Sequence, residues 1–134
     1  MKGYTIKEVA EMLHIPATTL RYYDKEGLLP YVKRMHSGYR LFSDDDISML
    51  RVIECLKKTG MPIREIRRFT DWILEGDSSL QRRYEIFLER KQVVERQIAE
   101  LQETMELIDY KCWYYKTALE AGTEKIHLSD KSAG

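Results

Sequence analysis

Cysteine, proline and glycine are all scarce in this chain of 134 residues, at two, three and seven. The two cysteines, Cys55 and Cys112, cannot build a disulfide framework and lack the spacing of a tetrahedral metal site. So few glycines and prolines exclude a collagen-like or linker-dominated chain. No run approaches the ~20 apolar residues of a membrane-spanning helix. No apolar stretch follows Met1 to form a secretory signal. The sequence therefore predicts a cytoplasmic protein with reduced thiols and no membrane partner. Net charge is also absent, with 22 basic and 22 acidic residues, which argues against a protein that coats nucleic acid through bulk charge. There is no Ser/His/Asp order, no His-rich motif and no phosphate-cradling glycine loop. No enzyme activity, catalytic residue, cofactor or bound metal is expected. Hydrophobic residues make up 43% of the chain, too many for intrinsic disorder. The length gives room for one compact domain with an extended arm.

The charge is zero overall but uneven along the chain. Between Pro16 and Arg40 stand Arg21, Lys25, Lys33, Arg34 and Arg40 against only Asp24 and Glu26, with His36 in addition. From Gly76 onward the balance is slightly acidic. A local basic patch on a neutral chain suits phosphate binding at one face.

Local signals divide the first part of the chain cleanly. Thr5 and Glu8 form a capping box, and Ile6, Val9, Ala10 and Leu13 repeat on one helical face. Pro16 ends that helix near His14. A second helix is expected from about Ala17 to Glu26, closed by Gly27. Two short helices joined by a turn of three to four residues make a helix-turn-helix. Tyr31–Met35 and Tyr39–Phe42 then read as two strands around a turn containing Gly38. Ser43 caps a third helix that opens on Asp44, Asp45 and Asp46, where carboxylates suit the macrodipole. It closes on Lys57, Lys58 and Gly60. Pro62 opens a fourth helix, in its first turn, which runs to about Glu75.

The remainder is one periodic segment. Leu80, Tyr84, Phe87, Lys91, Val94, Ile98, Leu101, Met105, Ile108, Cys112, Tyr115 and Leu119 alternate in steps of four and three. This is a heptad seam, broken only at Lys91. At 1.5 Å per residue it spans roughly 60 Å. A core of this size cannot cover such a helix, so its seam needs a partner helix, most simply a second copy. Gly122 ends it, and residues 123–134 read as a short tail.

On the second helix Leu20 and Tyr23 share the core-facing phase. Thr18, Arg21, Tyr22 and Lys25 form a stripe of donors on the other side. The stripe reads either as an ordinary solvated face or as a surface for phosphates and base edges. The preceding helix and the basic hairpin favour the second reading, because a helix-turn-helix with a two-stranded wing is a geometry that reads DNA from the major groove. The hairpin, with Lys33, Arg34, Tyr39 and Arg40, is either a charged-edge hairpin or a wing laid along the backbone. Arg64 stands at a helix start whose amides could face a phosphate. Arg67, Arg68, Arg82 and Arg83 are read as solvated surface, and the three aspartates as capping groups.

At this point the residues reach a family. Leu20-Arg21-Tyr22-Tyr23, Gly27-Leu28-Leu29-Pro30 and Gly38-Tyr39-Arg40-Leu41-Phe42 resemble the MerR family of bacterial transcription regulators. Gly60-Met61-Pro62-Ile63 with Glu65-Ile66 and the terminal heptad helix continue the likeness over about residues 1–120. The resemblance implies a mainly α protein. Its parts are a winged helix-turn-helix DNA-binding head with a second helix pair acting as a further wing (residues 1–76), a coiled-coil dimerisation helix (77–120) that pairs antiparallel, and a short C-terminal tail (121–134). It implies a homodimer on double-stranded promoter DNA, which it distorts so that RNA polymerase can engage an overlong spacer. Thr18, Thr19, Arg21 and Tyr22 carry over as recognition-helix contacts, and Tyr39 and Arg40 as wing contacts. Cys55, in Ile53-Glu54-Cys55-Leu56-Lys57-Lys58, is similar to the thiol of the branch that answers reactive aldehydes and other electrophiles. Its alternative is a small packing residue; Cys112, on the seam, favours packing. Metal- or redox-responsive branches are the rival. Cys112 and His127 alone offer few ligands, and Asp77-Ser78-Ser79 at the start of the dimer helix carries no thiol. Outside this class stand an architectural, excisionase-like DNA bender and a coiled-coil adaptor without nucleic acid. The long dimer helix speaks against the first, and a gel shift with the chain's own upstream region separates the second from a promoter-binding regulator.

Overall fold

The fold was described from a computed structural model, over residues 3–30, 32–34 and 40–128. Its order is β1 (Tyr4–Thr5), α1 (Ile6–Leu13), α2 (Ala17–Lys25), β2 (Lys33–Arg34), β3 (Arg40–Phe42), α3 (Asp44–Lys58), α4 (Ile63–Glu75), a 3₁₀ turn (Gly76–Ser79), α5 (Leu80–Ala121) and α6 (Lys125–Leu128). Two compact units are present, Met1–Arg90 and Lys91–Gly134.

The first unit is built on the expected caps. Thr5 and Glu8 exchange hydrogen bonds at the start of α1. His14 adopts a left-handed conformation with φ 56° at its end, and the amide of Ile15 reaches back to the Ala10 carbonyl at 3.2 Å. This turn ends α1 and leads the chain through Pro16 into α2. Gly27, with φ 79°, closes α2. A Cβ there would stand 3.4 Å from the Arg67 guanidinium, an ordinary contact, so it is the left-handed backbone that calls for glycine. Arg67, expected as plain solvated surface, thus lies against the end of α2.

The hairpin strands pair antiparallel, with Lys33 opposite Leu41 and Arg34 opposite Arg40. The sequence did not reveal a third strand. β1 pairs with β3, setting Tyr4 opposite Phe42 and Thr5 opposite Leu41, so the sheet order is β1-β3-β2. Two residues are too short for a period-2 signal, and the partner lies far along the chain.

The core gathers Val9, Leu20, Tyr23, Leu28, Phe42, Leu50, Ile53, Leu56 and Ile66, all fully buried. Ser43 caps α3 through a box with Asp46. The Asp46 carboxylate accepts from the Ser43 amide at 2.8 Å and hydroxyl at 2.9 Å, and the Asp46 amide donates to Ser43 Oγ at 3.2 Å. Asp46 is only 1% exposed. Ser43→Ala should therefore destabilise the fold by about 1–2 kcal/mol, the upper part of the N-cap range. Urea unfolding checks this, and a midpoint equal to wild type would refute it.

Three expectations need correction. Pro62 is the N-cap of α4 rather than a residue of its first turn, since its extended ψ of 152° precedes the helix. Asp77, Ser78 and Ser79 belong to the 3₁₀ turn, not to the long helix. Ser79 is buried, donates to the carbonyls of Gly76 and Trp72, and accepts from Arg83 Nε, which holds the tight turn. The segment after Gly122 is not a plain tail. In the second unit α6 folds back on the end of α5. The Tyr114 hydroxyl donates to Glu124 at 2.9 Å. The His127 ring stacks on Tyr114 at 4.3 Å and lies 2.6 Å from Thr117 Oγ1. These contacts bury Tyr114 and Ala118 to 8% exposure.

Candidate nucleic-acid interface

Helix α2 separates its faces by phase. Leu20 and Tyr23 are fully buried, while Thr18, Arg21, Tyr22 and Lys25 are exposed and Thr19 is half-buried. The expected stripe of hydroxyl, guanidinium, phenol and ammonium is therefore on one open side of a helix whose other side is anchored. Pro16 gives α2 no side-chain cap. The amides of Thr19 and Leu20 take the Pro16 carbonyl, which leaves those of Ala17 and Thr18 without an acceptor among the described residues. Open amides at a helix start can donate to a phosphate oxygen.

The α4 helix starts in the same way. Pro62 supplies no cap, the amides of Glu65 and Ile66 take its carbonyl, and Arg64 is exposed. For the wing, the backbones of Lys33, Arg34 and Arg40 lie on paired strands. Tyr39 and the hairpin tip with His36 lie outside the described residues.

Tyr23 shows what phase alone misses. Its ring is core, as expected, but its hydroxyl is bonded at the edge of that core. It donates to Glu54 Oε2 at 2.9 Å and accepts from Lys57 Nζ at 3.1 Å. The Lys57 ammonium lies 5.5 Å from the Tyr23 ring centre, and the Tyr22 ring is 6.2 Å from that of Tyr23. Burial pushes the Tyr23 hydroxyl above its ordinary pKa, with Lys57 opposing and Glu54 adding. The bond to Tyr23 pushes Lys57 up. Both groups keep their protons more firmly in the fold. Their contribution is complete at neutral pH and is lost only as pH climbs above the ordinary tyrosine and lysine range. No local sequence signal could have joined residues 31 and 34 positions apart.

Cys55 is exposed. The packed face of α3 is Ile47, Leu50, Ile53 and Leu56, so the packing alternative for this thiol is not what the fold shows. Cys112 is exposed too, beside Leu107, Ile108, Lys111 and Tyr115. Of the seam, Leu80, Tyr84, Phe87, Ile98, Leu101, Met105, Ile108, Tyr115 and Leu119 are exposed in the single chain, while Val94 is half-buried. Phe87 is shared with the head, since its ring meets Phe69 edge-on at 5.4 Å. Among the described residues no three His, Cys, Asp or Glu side chains come together, and no helix is long and apolar enough to cross a membrane.

A family model for MerR HTH regulatory proteins matches residues 4–71, and a second, for the MerR DNA-binding region, matches 47–109. The chain belongs to the MerR family. It is 42% identical over 122 residues to an HTH-type transcriptional regulator of Haemophilus influenzae, covering 91% of this chain and 90% of that one. Among solved structures it is similar to HiNmlR, a MerR family regulator lacking the sensor domain and bound to promoter DNA. That likeness has 41% identity and a TM-score of 0.85, over 93% of this chain and 99% of the other. A MerR family transcriptional regulator from Bacillus thuringiensis is 38% identical with a TM-score of 0.76, over 83% and 97%. As a MerR member the chain is a DNA-binding transcriptional regulator, and its winged helix-turn-helix head with a long C-terminal helix is the family's fold.

Proposed function

We propose that this MerR regulator binds an inverted-repeat promoter site as an antiparallel dimer and activates transcription by distorting the spacer for RNA polymerase. Helix α2 enters the major groove with Thr18, Thr19, Arg21, Tyr22 and Lys25. The wing, with Lys33, Arg34, Tyr39 and Arg40, lies along the backbone, and Arg64 meets a flanking phosphate. The observation that carries the reading is α2 itself, with one face wholly buried and the other an unbroken exposed stripe of donors. The related HiNmlR, a MerR family regulator lacking the sensor domain, is bound to promoter DNA.

Two copies of α2 need two half-sites on one face of the duplex. Arg21→Ala should weaken specific binding by roughly 1–3 kcal/mol, the worth of a bidentate base contact. Arg40→Ala should weaken all sequences about equally and flatten the salt dependence. Gel shift on the chain's own upstream region, against a scrambled duplex at several salt concentrations, measures both. Unchanged binding in both variants would remove the groove model.

For the inducer, the reading is a small reactive aldehyde or related electrophile acting at Cys55. The sulfur adds to the carbonyl carbon, the C=O π pair moves to oxygen, and that oxygen takes the thiol proton to give a hemithioacetal without any redox step. An exposed thiol on α3 is open to such a reagent. The adduct biases a two-state equilibrium between resting and activating dimers.

A further inference from the structure

The corner between α4 and α5 is tied more tightly than a plain turn requires. Helix α4 closes on Gly76, with φ 81°, and the carbonyls of its last turn have no partner within the helix. Ser79, buried in the 3₁₀ turn, shares its hydroxyl proton between the carbonyls of Trp72 and Gly76, the latter at 2.8 Å. Arg83, half-buried in the first turn of α5, closes the ring from the other side. Its Nε donates to Ser79 Oγ at 3.0 Å and its Nη2 to the Gly76 carbonyl at 2.9 Å. A planar fork of donors holds two acceptors in one orientation. Beside it Arg82 bonds Glu75 and lies over the Trp72 ring, with Cζ 5.6 Å from the ring centre. Both arginines, plain surface by sequence, thus fasten the start of α5 to the end of α4, within the first unit.

The angle at which α5 leaves α4 matters because α5 is a lever. In the antiparallel dimer the two-fold centre lies between Ile98 and Leu101, about twenty residues from Leu80, or roughly 30 Å along the helix. A turn of about ten degrees at the corner moves a head by roughly 5 Å over that length. Successive base pairs are only ~3.4 Å apart.

We propose that the Arg83 clasp fixes the half-site spacing that the dimer accepts, with Arg83 and Ser79 as positioning residues that do not touch DNA. This rests on the antiparallel-dimer reading and deepens it. Helix α2 and the wing set which bases are read, and the corner sets how far apart the two heads read them.

The test is a gel-shift titration of the full chain on duplexes of the operator in its own upstream region. The half-sites stand at native spacing, one base pair closer or one base pair farther, and a further duplex carries a single half-site. Wild type should lose about tenfold or more in affinity on either change, towards the level of single-head binding. Arg83→Ala should lose less than about threefold on the same changes, because a loose corner lets both heads engage. Its affinity for the single half-site should equal that of wild type. Arg83→Lys keeps the charge but not the fork, so it should follow Arg83→Ala. A merely structural role would lower the thermal midpoint and leave the spacing profile alone, so a wild-type profile in Arg83→Ala overturns the proposal. A wild-type profile in Arg83→Lys overturns the fork as its cause, and weakened single-half-site binding in Arg83→Ala overturns it in favour of a DNA contact. Failure of the dimer reading shows separately, as a wild-type protein indifferent to spacing.

Discussion

Replacing Ile98 and Leu101 together by Asp should turn the protein into a monomer in sedimentation and lower operator affinity by at least ~100-fold, since only one half-site can then be held at a time. The two residues are 50% and 67% exposed in the single chain, so the substitutions leave the fold of each copy intact. The seam gives the reason for choosing this pair. Its steps of four and three read the same from either end. In an antiparallel pair Ile98 of one copy therefore meets Leu101 of the other, Met105 meets Val94, and Leu80 meets Leu119. This register also sets Lys91 against an isoleucine, Ile108, of the second copy. Parallel pairing in register would set Lys91 against its own equivalent, and like charges facing each other oppose association. The double substitution places four carboxylates at the two-fold centre. Burying them unpaired costs several kcal/mol each, more than the central layers can offset. A double variant that sediments as a dimer and binds the operator normally would show that the seam does not hold the copies together.

The second large effect concerns induction. In Cys55→Ser, induction of a promoter reporter by formaldehyde or methylglyoxal should disappear, with operator affinity within about twofold of wild type, a margin of roughly 0.4 kcal/mol. The thiol is exposed and the buried side of α3 lies elsewhere. Exchanging sulfur for oxygen at this site removes a nucleophile without disturbing packing, so loss of response reports chemistry rather than folding. Cys112→Ser is the companion experiment. Cys112 sits among Leu107, Ile108 and Tyr115, and in the antiparallel register it faces Phe87 of the second copy, a packing role. Its substitution should leave induction in place. Full induction in Cys55→Ser would remove the sensor assignment and turn attention to Cys112 or to an inducer that binds without a covalent bond.

The sequence by itself determined the five longer helices and the two hairpin strands, because the signals that start and stop them are local. Thr5 with Glu8, Ser43, Pro16, Gly27, Gly60 and Gly122 each act within a few residues of their own position. The structure puts helix ends where these residues predict them, within a residue or two. Helical phase likewise sufficed to divide α2 into a core side and a stripe of donors, since periodicity decides which side chains share a face. Tertiary structure decided what depended on residues distant in sequence. It paired β1 with β3 and gave the Tyr23 hydroxyl to Glu54 and Lys57. It set Phe87 against Phe69, laid Arg67 beside Gly27, and folded α6 onto Tyr114 through Glu124 and His127. None of these has a local pattern, because each is the meeting of two segments whose separate periodicities are already satisfied. Only the closing of the intervening chain around a shared core brings such groups within bonding distance.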